Sequence, residues 1–227
     1  MKFTWLKWSA LPVVVLMVGG VGLAQDQSGS QSSGQPQSSP APAAQPATAQ
    51  KADPSIAQRK ENQQDRIANG VKSGQLTAGE TAKLETKEAA INGETKADRA
   101  ANGGKLTAAE KAKVNGQQNN LSKQIYKDKH NANTAHYGNN KVGQRRENQQ
   151  DRIAQGIKSG KLTAGETAKL ENQQKGINQQ VAADRKANGG KLTTAEKKQV
   201  NHEQNQASKN IHHKKNNATT QAAAKKP

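Results

Sequence analysis

Residues Lys60–Thr134 align without a gap onto Arg146–Thr220 at a constant offset of 86, with about two thirds of the positions identical. A duplication this long constrains the architecture before any local reading does, because both copies must fold alike and meet the same neighbours. Within each copy the pattern Leu-Thr-x-x-Glu occurs twice. The four instances are Leu76-Thr77 with Glu80, Leu106-Thr107 with Glu110, Leu162-Thr163 with Glu166, and Leu192-Thr193 with Glu196.

Thr followed three residues later by Glu is a capping box. The Thr hydroxyl accepts from a free backbone N–H of the first helical turn, and the Glu carboxylate reaches back to the Thr amide. Four helix starts are therefore expected at Thr77, Thr107, Thr163 and Thr193. A breaker precedes each one: Ser73-Gly74, Gly103-Gly104, Ser159-Gly160 and Gly189-Gly190. These suit the ends of the preceding helices, where glycine enters positive φ without steric cost. The apolar residues fall at helical steps of four, seven and eleven, as in Ile56, Ile67 and Val71, or Val114, Leu121 and Ile125. The expectation is an all-α fold of two tandem three-helix units.

The apolar stripe is thin. Large aliphatics lie well below the ~20% under which a charged chain is suspected of disorder. Gly70, Gly93 and Gly116 fall inside the expected helices, each costing roughly 1 kcal/mol against Ala. Slender units of marginal stability follow from this composition.

The first residues read as an export signal. Lys2 and Lys7 flank a short basic leader, an apolar run extends from Leu11 to Leu23, and the small residues Gly22 and Ala24 precede Gln25. Gly19-Gly20 interrupts the run, which is short for a membrane span of ~20 apolar residues. Cleavage is expected after Ala24, leaving no transmembrane span and a formal charge of +15, because the leader takes two lysines and no acid from a chain of +17. The expected organisation is signal peptide 1–24, disordered Gln/Ser/Pro/Ala-rich linker 25–54, helical repeat 55–134, connector 135–141, second repeat 142–220 and basic tail 221–227. The chain has no Cys, so neither disulfides nor thiol chemistry are available to it.

Catalytic patterns are missing. The five histidines do not recur at matching positions of the two copies, and no Ser-His-Asp set, paired-histidine zinc motif or phosphate-cradling glycine loop occurs. Neither an enzyme, a small-molecule substrate nor a cofactor is expected. Residues 69–80 do match the second half of an EF-hand loop, with Gly74, Leu76, Thr77 and Glu80 in register. The first half lacks the acidic ligands, and a capped helix hairpin accounts for Thr and Glu without a cation.

Charge remains as the functional signal. Lys123, Lys127 and Lys129 crowd one expected helix end, with Lys209, Lys214 and Lys215 at its counterpart, and Arg145-Arg146 near the start of the second repeat. These residues are the expected contacts of an anionic polymer: an envelope or extracellular polysaccharide, lipopolysaccharide, or DNA bound without sequence preference. Aromatics are too few for base stacking to select single strands.

At residues 65–80 and 151–166, and again at 98–107 and 184–193, the chain resembles a loosely defined set of exported bacterial helical-repeat proteins. They share arrays such as Asp-Arg-Ile-Ala-x-Gly-x-Lys-Ser-Gly-x-Leu-Thr-Ala-Gly-Glu. The likeness covers nearly everything after residue 55 and implies export and helical repeats, with no particular activity. The Leu-Thr-x-x-Glu starts also resemble, more faintly, the periplasmic helical chaperones of the Spy and CpxP type, with Glu here in place of Gln. That second likeness implies a chaperone or scaffold.

Overall fold

The computed structural model describes residues 55–221, and the expected signal peptide, the linker up to residue 54 and the tail beyond Gln221 lie outside them. Six helices follow in order: α1 (Ile56–Lys72), α2 (Ala78–Ala101), α3 (Ala108–Lys129), α4 (Lys141–Lys158), α5 (Ala164–Ala187) and α6 (Thr194–Lys215). The fold is all-α. A break at residues 130–140 separates α3 from α4, so the last helix of one repeat does not run into the first helix of the next.

Local chemistry explains the boundaries. Thr77, Thr107, Thr163 and Thr193 each accept from the amide three residues on, and the Glu there accepts from the Thr amide in return. Ser55 and Gln58 close a fifth box at the start of α1, and the Asn140 side chain accepts from Gly143 N at α4. The α1–α2 turn is closed by Gly74 at φ 70° and by Leu76 N donating to Gly70 O at 3.0 Å. Its counterpart repeats this with Gly160 at φ 66° and Leu162 N on Gly156 O.

The two repeats do not stand apart. The α2 helix packs along α5 and α1 along α4, and the six helices belong to one compact unit. Both pairs run antiparallel. Ala89, Asn92 and Thr95 from the second half of α2 share a groove with Ala164 and Gly165 at the start of α5. Likewise, Lys60 and Gln64 near the start of α1 face Ile157 and Lys158 at the end of α4. The main core draws Ile67, Val71, Leu76, Leu84, Val114 and Leu121 from the first repeat, and Ile153, Ile157, Leu162, Leu170 and Ile211 from the second. A smaller cluster holds Val142, Ile177, Val181, Leu192, Val200 and Ala207. Pooling two thin stripes in one interior buries more apolar surface than either unit buries alone, which offsets the low aliphatic content.

Buried glutamines fill the gaps between helices, and their amide nitrogens are hydrogen-bonded across them. Gln63 Nε2 donates to Gln118 O and Ser122 Oγ, both at 2.7 Å, and Gln149 repeats this with Gln204 O and Ser208 Oγ. Gln118 and Gln204 in turn donate to Ile56 O and Val142 O, tying the third helix of each repeat to the first.

The helical glycines are not alike. A Cβ at Gly70 would meet Leu76 Cδ1 and Cγ at 2.7 Å, and one at Gly156 would meet Leu162 at 2.5 and 2.6 Å. The leucine of each first tetrad therefore sits against the glycine of the helix before it, which accounts for the residue's presence there. Gly93 and Gly116 are exposed with nothing within 4 Å of the added carbon. Substitution should thus change sign with position. Gly93→Ala and Gly116→Ala should each stabilise by about 0.5–1 kcal/mol. Gly70→Ala and Gly156→Ala should destabilise by about 1–3 kcal/mol through overpacking. Urea unfolding of the four variants checks this, and one common sign would contradict the packing account.

Candidate functional site

Half of the acids among the described residues are held in helix caps or in the interior. Glu80 Oε2 accepts from the Thr77 amide and hydroxyl, while Oε1 accepts from Asn131 Nδ2 at 2.8 Å and Asn133 Nδ2 at 3.2 Å. Partial burial pushes this carboxyl upward, but the Thr77 and asparagine hydrogen bonds outweigh it and hold the pKa below the ordinary value. Glu166 is arranged in the same way with Thr163 and Asn217. Glu110 and Glu196 take their helix caps together with Asn102 and Asn188. The glutamate that would close an EF-hand loop at Glu80 thus has both oxygens engaged within the fold, and no group of three or more metal-ligating side chains is assembled among the described residues.

Three further carboxyls are buried completely: Glu85 and Glu88 on α2 and Glu171 on α5. Gln64 Nε2 donates to Glu85 at 3.0 Å and Gln150 Nε2 to Glu171 at 2.9 Å. Burial raises Glu85 to about 8, with Glu88 and Glu171 adding to the rise, and raises Glu171 to about 8. Glu88 rises to about 7 by burial, opposed by the charge of Lys60 and by the Asn92 amide. Lys60 is itself lowered by burial, against the pull of Glu88. Sequence reasoning identifies only the capping glutamates, and it misses these three. A signal is present, since Leu84, Glu88 and Ile91 follow one another at steps of four and three and so share the inward face of α2.

No family model, curated protein or solved structure matches this chain. The surface must therefore be read from its own chemistry. Residues 55–221 carry 30 Lys and Arg against 16 Asp and Glu. With eight of those acids buried or engaged in caps, the single ion pair between described residues is Lys113 with Glu94. Among the described residues no helix is long and apolar enough to cross a membrane.

The cations singled out from sequence occupy three kinds of place. Lys123, Lys127 and Lys209 are exposed. Lys129, Lys214 and Lys215 are half-buried, and the Cγ of Lys129 and of Lys215 lies 3.3 Å from the carbon that Gly70 and Gly156 lack. Those two stems cover the helix end. Arg145 is held by the side-chain oxygens of Asn201 and Asn205. Arg146 departs from the others, being buried at 9% exposure with its guanidinium 5.4 Å from the centre of the Tyr137 ring. Because α1 and α4 are antiparallel, with Lys129 against Gly70 at the end of α1 and Lys215 against Gly156 at the end of α4, the α3 and α6 lysine clusters lie toward opposite ends of that helix pair.

Proposed function

We propose that this is an exported, non-catalytic helical-repeat protein that binds anionic envelope or extracellular polymers through its charge. The observation that carries the reading is the near absence of ion pairs between described residues beside a large cationic excess: half of the described acids are held in caps or in the interior, which leaves the surface lysines in excess. Tyr126, at 62%, is the one large apolar side chain exposed among the described residues, so surface contacts would rest on charge more than on apolar burial. Cationic clusters at both ends would let one molecule hold two strands of a polysaccharide or two stretches of one strand, and DNA would bind without sequence preference.

The test is retention of the full chain on immobilised dextran sulfate and on polygalacturonate, eluted with NaCl. Retention should fall steeply with salt, and a combined Lys123→Gln, Lys127→Gln and Lys209→Gln variant should elute earlier at unchanged helicity. Elution of the wild type below about 0.1 M salt, where charges are screened only beyond ~10 Å, would refute the reading.

A further inference from the structure

The two repeats treat one pair of equivalent cations differently. In the first, Lys60 lies beside the buried Glu88. In the second, the position equivalent to Lys60 is Arg146 and that equivalent to Glu88 is Gln174, whose amide donates to Gln149 Oε1 at 3.0 Å. Arg146 has thus lost the counter-charge that its counterpart keeps. Its Nε is buried without an acceptor, and the groups acting on its charge are Tyr137 and Arg185, with no carboxylate among them. An arginine nine-tenths withdrawn from water, with its Nε unpaired, is costly to maintain.

Arg146 lines a groove of about 470 Å³ together with the N-terminus of α2, at Thr77, Ala78 and Gly79. The segment before α4 forms one side, pressed so closely on that helix that a Cβ at Gly143 would overlap the Tyr137 and Gly138 carbonyls. Lys175 of α5 forms another side, its stem 3.5 Å from the position a Cβ would take at Gly79. The first amide of a helix needs an acceptor from outside. At α5 the fold supplies one, because Gln221 Oε1 accepts from Ala164 N at 3.3 Å. At α2 the residue equivalent to Gln221 is Ala135, which makes the matching backbone bond to Gly74 O but has no side chain to offer Ala78.

We propose that the groove between the α2 N-terminus and Arg146 seats a single oxyanion group, a phosphate or a carboxylate, of an anionic ligand. The guanidinium fork of Arg146 supplies paired donors and the Lys175 ammonium supplies charge. The Ala78 amide takes the oxygen that Gln221 provides in the other repeat. The inference deepens the polymer-binding reading and rests on it, by giving one charged group of the polymer a defined seat among diffuse contacts.

Amide NMR of the full chain, titrated with inorganic phosphate and separately with galacturonic acid at constant ionic strength, tests the seat. Saturable shifts centred on Ala78 and Gly79 are expected with one or both probes, and which probe saturates tells phosphate from carboxylate. Ala135→Gln, which copies the internal acceptor of the second repeat, should weaken the response at least 5-fold, and Arg146→Gln at least 10-fold. Should Arg146→Gln fail to fold, Ala135→Gln decides alone, since it adds a surface amide already tolerated at the equivalent position. Non-saturating shifts, or shifts equal in wild type and Ala135→Gln, would overturn the seat. The salt elution of Ala135→Gln from dextran sulfate separates the two ideas, because unchanged retention leaves charge-driven polymer binding standing whether or not the seat exists.

Discussion

Raising the pH from 5 to 8.5 should lower the stability of the folded body by at least several kcal/mol, since each tenfold difference in proton affinity between folded and unfolded chain is worth ~1.4 kcal/mol and three buried carboxyls contribute. Glu85 and Glu171 titrate in the folded state at about 8 and Glu88 at about 7, all above the value near 4.5 of an unfolded glutamate. A carboxyl whose folded pKa is raised favours the fold while protonated. Its contribution is fully present below the unfolded pKa and is lost as pH rises through the folded one. The window therefore runs from pH 4.5 to about 8. Glu85 faces Gln64, Glu88, Glu171 and Lys60, while Glu171 faces Gln150, so ionising Glu85 and Glu171 together sets like charges against one another across the α2–α5 contact. Against a usual total of ~5–15 kcal/mol the loss is large.

Thermal melts by circular dichroism between pH 5 and 8.5 measure it, and a melting temperature that stays level or climbs over this range would refute the burial of these acids. Glu85→Gln and Glu171→Gln should each flatten the profile and raise stability at pH 8.5. Gln64 Oε1 and Glu85 Oε1 are both buried without a partner, and an amide at 85 supplies the donor that this pair lacks when the carboxyl is ionised.

Leu76→Ala and Leu162→Ala should each cost about 3–5 kcal/mol, and Leu106→Ala only about 1–2. The four tetrad leucines look equivalent in sequence, yet Leu76 and Leu162 are fully buried in the core that both repeats share. Each lies against the bare backbone of Gly70 or Gly156, so truncation leaves a cavity that no neighbouring side chain can fill. Leu106 retains 8% exposure and belongs to neither apolar cluster, and water can reach its site. Because the main core crosses the repeats, loss of Leu162 should destabilise both together. Guanidinium unfolding followed by circular dichroism would show one transition shifted to lower denaturant. Two separated transitions, with the first repeat unmoved, would mean that the repeats fold independently.

Helix positions were legible in the residues because their signals are local. Thr-x-x-Glu caps, paired turn glycines and apolar steps of three and four act within one or two turns of chain, and each recurs at the 86-residue offset. The uneven roles of the glycines were less legible, since Gly70 and Gly93 differ only in what lies across from them.

The linear order of residues determined by itself that the described chain would be helical, where four of its helices begin, and that it carries an uncompensated positive charge. Only the tertiary structure decided that the repeats pack antiparallel into one interior, that Glu85, Glu88 and Glu171 are buried in it, and that Arg146 lies beneath Tyr137 without a carboxylate. The physical reason is one of range. Capping and periodicity are properties of neighbours along the chain, whereas the burial and ionisation of a side chain depend on which distant surface covers it. A duplication specifies two similar surfaces but leaves open which face of one meets the other.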